Sequence, residues 1–168
     1  MDIKNKTILI TGASRGIGKA IAIELAGQNA KTIILLGRDS NALLETRQKI
    51  LELGVKVELI QCDISDETAT TIAMAQAWQR HGQIDILISN AGSGYQSEFT
   101  SAKPNQIRDE VNTNILGMYN VVLPMAKRMK SKQSGLIVIV SSLMGRLASP
   151  TWSTYGATKA AQLNFSKS

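Results

Sequence analysis

Tyr155 and Lys159 are the residues of this sequence whose types and spacing best suit proton transfer. They lie four positions apart in the segment Tyr155–Ser168, which has a helical pattern, so their side chains share one helix face. A free tyrosine titrates at about pH 10, and a nearby lysine ammonium stabilises the phenolate form. The pair therefore suits a general acid and base acting on a hydroxyl group. The alternative is ordinary surface polarity on an amphipathic helix.

Ser142 is a second candidate, because it follows an apolar, strand-like run. Its hydroxyl could bond a substrate oxygen and orient it toward Tyr155, although serine at a strand end is also a common turn or helix cap. The single histidine, His81, lies at a predicted helix end, where solvent or the helix dipole accounts for it. We expect no metal site, because the sequence has no Cys/His cluster.

Three glycines in Gly12–Gly18, spaced G-x-x-x-G-x-G, follow the apolar run Thr7–Thr11 and precede an amphipathic helix. The apolar residues that recur on one face of that helix are Ile17, Ile21 and Leu25. A strand that ends at glycines and continues as a helix presents free backbone N–H groups and the positive end of a helix dipole. The pattern predicts a phosphate or pyrophosphate site, and the alternative is a plain glycine-rich turn.

Apolar strands and helices alternate along the rest of the chain. We predict strands over Thr7–Thr11, Lys31–Leu36, Val55–Gln61, Ile84–Ser89 and Leu136–Val140. After the glycine turn we predict helices from Asp39 or Ser40 to about Leu53, from Asp66 to about Arg80, over Pro104–Lys132 with a kink at Pro124, and over Tyr155–Ser168. This alternation predicts an α/β fold with a parallel sheet covered by helices on both faces. Ligands of such sheets bind at the carboxyl ends of the strands, where the candidate residues fall.

The composition of the chain argues against several classes of function. A chain of 168 residues with 43% hydrophobic and 19% charged residues is typical of one globular domain. The net charge is +6, but basic residues cluster only at Lys127–Lys132 and aromatic residues make up 4%, which argues against nucleic-acid binding. The single cysteine, Cys62, suits a buried thiol in a reducing compartment. We see no signal peptide or membrane span, and we expect a cytoplasmic protein.

Five motifs together resemble the short-chain dehydrogenase/reductase family in their order and spacing. They are Thr11–Gly18, Asn90–Gly92, Asn114 in the segment Asn114–Gly117, Ser142, and Tyr155–Lys159. The resemblance extends over the whole chain. It implies a Rossmann-type three-layer α-β-α sandwich with strand order 3-2-1-4-5, a nicotinamide cofactor, and hydride transfer coupled to proton transfer on an alcohol or carbonyl.

The resemblance also implies residue roles. Tyr155 would be the acid/base, Lys159 would assist it and hold the nicotinamide ribose, and Ser142 would polarise the substrate oxygen. Asn114 would complete a proton relay with Lys159 through water. Asn90 would brace the sheet, and Asp63 with Ile64 would contact the adenine. The implied cofactor-binding residues are Gly12, Ser14, Arg15, Gly16, Ile17, Gly18, Arg38, Asp63, Ile64, Asn90, Ala91, Gly92, Tyr155 and Lys159.

The residues after the second strand bear on cofactor choice. An acidic residue commonly holds a ribose 2′-OH at that position, but here Gly37 stands there and Arg38 follows. Ser14 and Arg15 of the glycine turn would lie nearby, so two guanidinium groups suit a 2′-phosphate. We therefore expect NADP(H) to be favoured over NAD(H). A register shift that brings Asp39 to the ribose would reverse this expectation.

The chain stops at Ser168, whereas members of the family continue with further strands and a segment over the substrate. We therefore expect residues 1–168 to form a single dinucleotide-binding domain that is incomplete at its C-terminus, with the strand Leu136–Val140 near a sheet edge. We expect homo-oligomers through the helices at 104–132 and 155–168. The alternative to a small-molecule oxidoreductase is a nucleotide-binding module with little or no turnover.

Overall fold

Strands and helices alternate along the chain in the computed structural model, which describes residues 2–167. The strands are β1 (Thr7–Thr11), β2 (Thr32–Gly37), β3 (Lys56–Gln61), β4 (Ile86–Ser89) and β5 (Leu136–Ile139). The α-helices are α1 (Gly16–Gly27), α2 (Ser40–Leu51), α3 (Glu67–His81), α4 (Pro104–Val111), α5 (Gly117–Lys132) and α6 (Ser153–Phe165). The strand bounds agree with the sequence prediction to within two residues, and the end predicted for the last helix, Ser168, lies outside the described residues.

All five strands are parallel and form one sheet in the order β3-β2-β1-β4-β5. Leu9 of β1 pairs with Ile34 of β2 on one side and with Leu87 of β4 on the other. The order reverses between β1 and β4, which is where ligands bind in sheets of this kind. The predicted α/β sandwich with strand order 3-2-1-4-5 is confirmed.

Two apolar clusters cover the two faces of the sheet. Every residue of β1, β2 and β4 is buried, which explains why these strands are nearly continuous in apolar residues rather than alternating. One cluster joins the sheet to α1 and α2 and includes Ile8, Ile10, Ile33, Leu35, Ala22, Leu43 and Ile50. The other joins it to α3 and α5 and includes Leu9, Ile34, Leu36, Leu87, Met74, Val121 and Met125.

Ile17 does not pack against the sheet with Ile21 and Leu25, the residues expected to share its face of α1. Its side chain is 63% exposed, and the buried residues of this helix are Gly18, Ala22 and Ala26. The buried face is displaced by one position from the apolar residues, because glycine and alanine let α1 lie close to the sheet. Ile17 instead faces the clefts described below.

The predicted helix Pro104–Lys132 is interrupted at a different place from the one expected. A π-turn over Asn112–Leu116 separates α4 from α5, whereas Pro124 lies inside α5, which continues to Lys132. In the π-turn the Gly117 amide donates to the Asn112 carbonyl five residues back, so the regular ladder is widened there. Such turns often occur at functional sites, and this one contains Asn114.

The last strand lies at one edge of the sheet, as expected, and its side chains Leu136 and Val138 are partly exposed. Among residues 2–167, none of the helices has the length and apolar character needed to cross a membrane. The cytoplasmic location stays a prediction.

Candidate active site

The turn between β1 and α1 leaves the start of α1 open. Gly12 and Gly16 have positive φ angles of 66° and 57°, a region that glycine enters without strain. In the described structure no side chain caps α1, whereas Asp39 and Asp66 cap α2 and α3 by accepting backbone N–H bonds. The first N–H groups of α1 and its positive dipole end are therefore available to an anion.

Asn90 ties this turn to the end of β4. Its backbone N–H donates to Thr11 Oγ1 over 3.0 Å, and its Nδ2 donates to the carbonyls of Thr11 and Gly12 over 3.0 and 3.3 Å. Gly18 lies against the same group, because a Cβ there would lie 2.5 Å from Asn90 Nδ2 and even nearer to the Gly12 carbonyl oxygen. The turn is thus packed on one side and open on the other.

Arg38 and Asp63 lie together at the ends of β2 and β3. Arg38 Nη1 donates to Asp63 Oδ2 over 3.5 Å in an exposed pair. Burial alone would raise the pKa of Asp63, but hydrogen bonds from the Ser65 amide and hydroxyl, together with Arg38, outweigh it and lower that pKa. Asp39 points its carboxylate at the Ala42 amide over 3.0 Å. Both adjacent charges are thus engaged here, Arg38 with Asp63 and Asp39 with the start of α2.

A cleft of about 540 Å³, which we call the glycine cleft, runs along these strand ends. Its lining residues include Gly12, Ser14, Arg15, Gly16, Ile17, Gly37, Arg38, Asp39, Asp63, Ile64, Asn90, Ala91, Gly92 and Thr113. The volume is within the ~300–1,000 Å³ typical of small-molecule sites. Thr113 is 5% exposed, and its hydroxyl has no hydrogen-bond partner within residues 2–167. The open helix start, the paired cation and this orphaned hydroxyl fit a dinucleotide.

A second cleft of about 490 Å³ adjoins the first, and we call it the tyrosine cleft. Its lining residues are Ile17, Asn90, Gly92, Ser93, Gly94, Val140, Ser141, Ser142, Met144, Trp152, Tyr155 and Lys159. The two clefts share Ile17, Asn90 and Gly92. The fold thus brings Ser142, Tyr155 and Lys159 to one cleft, while Asn114 lies behind it.

Ser141 and Ser142 differ in how their hydroxyls are used. Ser141 Oγ donates to the Lys159 carbonyl over 2.8 Å. Ser142 Oγ accepts from the Met144 amide over 3.2 Å, which leaves its proton for another acceptor. This difference favours Ser142, the residue chosen from the sequence.

Lys159 is buried beside Tyr155. Its side chain is 4% exposed, and Nζ lies 5.7 Å from the centroid of the Tyr155 ring. Nζ donates to the Val140 carbonyl over 3.1 Å and to Gln162 Oε1 over 2.9 Å. Burial lowers the pKa of Lys159 from 10.5 to about 8, so the ammonium predominates at neutral pH.

Asn114 is fully buried in the π-turn. Its side chain accepts from the Ser93 amide over 2.9 Å and donates to the Ser93 carbonyl and to Thr158 Oγ1 over 2.8 and 2.9 Å. Its own carbonyl accepts from Gln162 Nε2 over 2.6 Å. The described path from Asn114 to Lys159 therefore passes through the Gln162 amide, and a relay through water stays a prediction.

Thr113, Thr158 and Gln162 are the polar residues of this region that the sequence analysis missed. Each is at least 95% buried. The sequence signal that could have identified Gln162 is its spacing on α6, because it follows Lys159 by three positions and shares its helix face. Comparison with known motifs does not detect buried polar positions of this kind.

The loop after β4 forms one wall of the tyrosine cleft. The Tyr95 amide donates to Glu110 Oε1 over 2.6 Å, and the Tyr95 hydroxyl donates to Asp109 Oδ2 over 3.0 Å. Burial raises the pKa of Glu110, and Asp109 adds to the effect while the Tyr95 bond opposes it. The Ser97 amide also donates to the Thr151 carbonyl over 3.0 Å. The wall is thus anchored to α4 and to the segment before α6.

His81 and Cys62 take structural positions. His81 Nε2 lies 2.6 Å from Glu58 Oε2 of β3, so this histidine is paired and largely buried rather than solvated. Cys62 is buried, as expected, and burial raises the pKa of its thiol. Among residues 2–167, no group of three or more His, Cys, Asp or Glu side chains could hold a metal ion.

Comparison with known proteins agrees with this geometry. The family model described as short chain dehydrogenase matches residues 6–168. A 3-oxoacyl-[acyl-carrier-protein] reductase of Staphylococcus aureus is 29% identical over 97% of this chain and 66% of its own length. Mouse (Mus musculus) 17-beta-hydroxysteroid dehydrogenase 13 is 31% identical over 97% of this chain and 53% of its own. The chain thus spans about half to two thirds of these relatives.

Solved structures give the same result. An NAD+-bound xylitol dehydrogenase superposes with a TM-score of 0.93 at 27% identity, covering 98% of this chain and 64% of its own. A 3-oxoacyl (acyl-carrier-protein) reductase from Agrobacterium tumefaciens with NADP bound superposes with a TM-score of 0.89 at 29% identity, covering 97% and 62%. The chain belongs to the short-chain dehydrogenase/reductase family. The relatives and structural neighbours of the chain are NAD(P)-dependent oxidoreductases.

Proposed function

We propose that this chain is an oxidoreductase that interconverts an alcohol and a carbonyl, with NADPH-dependent reduction favoured. The observation that carries the proposal is the junction of the two clefts at Ile17, Asn90 and Gly92. A ligand that extends from the glycine cleft into the tyrosine cleft would meet Tyr155 and Lys159 there. The proposal covers residues 1–168 as one dinucleotide-binding domain.

The cofactor would be held mainly by backbone groups. The amides at the start of α1 would bind the pyrophosphate, and Asp63 and Ile64 would contact the adenine. Asn90 would keep the floor of the site in place, and Lys159 would hold the nicotinamide ribose. The other residues proposed to line the bound cofactor are Gly12, Ser14, Arg15, Gly16, Ile17, Gly18, Arg38, Ala91, Gly92 and Tyr155.

The proton would move through Tyr155. When bound, the nicotinamide supplies a hydride to the carbonyl carbon or accepts one from the alcohol carbon. In reduction the Tyr155 hydroxyl gives its proton to the substrate oxygen, and in oxidation the phenolate takes a proton back. The Lys159 ammonium, 5.7 Å from the ring centroid, stabilises the phenolate. The Ser142 hydroxyl would donate to the substrate oxygen and orient it. Asn114 would complete the relay behind Lys159.

The preference for NADPH rests on this chain's own residues, because the solved neighbours include both NAD+-bound and NADP-bound proteins. Arg15 and Arg38 both line the glycine cleft. Ser14 Oγ lies 3.5 Å from where a Cβ on Gly37 would be, so the Ser14 hydroxyl lies at the same end of this cleft. Two guanidinium groups there suit a 2′-phosphate.

Fluorescence titration with NADPH and NADH, followed by turnover assays on a panel of aldehydes and ketones, tests the proposal. We expect Tyr155→Phe to bind NADPH like the wild type and to lose about 10²–10⁴-fold in turnover. Tyr119→Phe, on the exposed side of α5, is the matched control and should keep full turnover. If the wild type binds NADPH but turns over none of the substrates, the chain is a nucleotide-binding module. If neither nucleotide binds, the proposal is wrong.

We further propose that the chain forms homo-oligomers through the helices at 104–132 and 155–168. Leu116, Tyr119 and Leu123 are about half exposed along the π-turn and α5, and the Tyr119 ring meets Phe165 of α6 edge-on at 5.0 Å. Exposed apolar patches of this kind commonly mark interfaces. Sedimentation velocity should show a larger species for the wild type and a monomer for Leu123→Glu. A wild-type monomer at high concentration would contradict this proposal.

A further inference from the structure

Gln162 links the Lys159 ammonium to the π-turn. Its Oε1 accepts from Lys159 Nζ over 2.9 Å, and its Nε2 donates to the Asn114 carbonyl over 2.6 Å. The side chain is 2% exposed. A buried amide with both ends bonded has little freedom, and it can fix whatever it touches.

The chemistry of the two partners sets the orientation of this amide. A flipped amide would point its NH₂ group at the Lys159 ammonium and its oxygen at the Asn114 carbonyl. Both contacts would be repulsive, since an ammonium only donates and a carbonyl only accepts. Gln162 is therefore matched to a charged lysine on one side and to the carbonyl in the π-turn on the other.

The groups that face Lys159 are few. On α6 they are Gln162 and the Tyr155 phenol, which is the titratable neighbour. The end of β5 contributes the Val140 carbonyl, and the loop after β4 contributes Gly92, where a Cβ would lie 3.4 Å from Nζ. Val140 and Gln162 together occupy two of the three N–H donors, which leaves one donor for a ligand.

We propose that Gln162 is a positioning residue that holds Lys159 Nζ at the tyrosine cleft by bridging it to the Asn114 carbonyl. This inference rests on the proposed role of Lys159 in the oxidoreductase. The acceptor end of the amide stabilises the ammonium form, and the donor end fixes the amide to the π-turn. The lysine is therefore placed by the π-turn as well as by its own helix.

Two variants test the contact between Gln162 and the Lys159 ammonium. Gln162→Met keeps the length of the side chain and removes both bonds. Loss of an acceptor from the ammonium should lower the pKa of Lys159 by roughly one pH unit. Gln162→Glu keeps an acceptor beside the ammonium and adds a negative charge, so it should raise the pKa. If Gln162 only filled space, Gln162→Met would leave the pKa of Lys159 unchanged.

The measurement is a pH titration of the Lys159 Cε resonance in protein with ¹³C-labelled lysine, assigned by its disappearance in Lys159→Met. Gln48→Met, at an exposed position of α2, is the matched control and should leave the pKa unchanged. The proposal is overturned if Lys159 in Gln162→Met titrates at the wild-type pKa. Should Gln162→Met not fold, Gln162→Asn takes its place, because its amide is one methylene too short to reach both partners. The titration needs neither cofactor nor turnover, so its failure is distinguishable from failure of the proposed oxidoreductase.

Discussion

The glycine cleft and the tyrosine cleft adjoin each other but are built in opposite ways. The first is shaped by missing side chains, since Gly16 leaves the turn open and Gly12 and Gly18 let it pack closely against its neighbours. The second depends on side chains that bond one another, since Asn114 and Lys159 are buried and joined through Gln162. The first cleft should therefore be damaged by added atoms, and the second by removed hydrogen bonds.

Adding one carbon atom to the glycine cleft should give the largest effect. The Cβ of Gly18→Ala would lie 2.5 Å from Asn90 Nδ2 and against the Gly12 carbonyl, so the strand, turn and helix must shift. We expect a loss of about 3 kcal/mol in the free energy of unfolding and a roughly hundredfold weaker NADPH affinity, measured by urea denaturation and fluorescence titration.

Gly27→Ala, at the other end of α1, is the control. A Cβ there meets no atom within 4 Å, and alanine favours the helix by roughly 0.5–1 kcal/mol. The control should be as stable as the wild type or slightly more stable. Wild-type NADPH affinity in Gly18→Ala would show that the turn does not depend on close packing.

Removing the buried charge of the tyrosine cleft should change the pH dependence of stability. Burial lowers the pKa of Lys159 from 10.5 to about 8, so between these values the unfolded chain binds more protons. The wild-type free energy of unfolding should therefore rise with pH across this window and fall as the pH drops toward 8. Lys159→Met should lack about 3 kcal/mol of that rise.

Urea denaturation at several pH values between 7.5 and 10.5 measures this difference. Lys49→Met, at an exposed position on α2, is the control and should follow the wild-type slope. Equal slopes for the wild type and Lys159→Met would mean that water reaches the ammonium in the folded protein.

A charge change at the rim of the glycine cleft should alter the choice of cofactor and leave stability nearly unchanged. Arg38→Gln removes a guanidinium group that is proposed to meet the 2′-phosphate, and it also removes an exposed pair with Asp63. Exposed pairs contribute little to stability. We expect about tenfold weaker NADPH binding with NADH binding unchanged, measured by fluorescence titration. Equal losses for both nucleotides would contradict a 2′-phosphate contact.

The smallest effect is expected from removing the unpaired hydroxyl of Thr113. Thr113→Val keeps the shape of a side chain whose Oγ1 has no partner within residues 2–167. Stability should therefore be unchanged or slightly higher, because a buried unpaired polar atom is removed. If the hydroxyl bonds the cofactor, NADPH affinity should fall about threefold. A variant with lower stability and full affinity would show that the hydroxyl has a structural partner instead.

The same contrast explains what could be predicted from the sequence. Glycine spacing and apolar strands are local patterns, so the strand bounds and the Gly12–Gly18 turn were predicted from the residues. The sheet order came from the family resemblance. The exposure of Ile17 was not predicted, because helical spacing does not show how closely α1 approaches the sheet.

The contacts inside the tyrosine cleft were harder to predict from the sequence. A π-turn has no known residue code, and a proline inside α5 gave a stronger but misleading signal. Gln162 looks like any polar helix residue until its two partners, from different elements, are known. Buried polar networks depend on tertiary contacts, and single-sequence patterns do not carry those contacts.

The uncapped start of α1 would make a bound nucleotide a part of the fold. The side-chain caps that α2 and α3 possess are each worth roughly 1 kcal/mol, and α1 has no equivalent. A bound pyrophosphate would supply it, and a nucleotide at a hundred times its dissociation constant adds about 2.7 kcal/mol to stability. The lifetime of the folded chain would then follow the nucleotide supply of its surroundings, and starvation for the dinucleotide would shorten it.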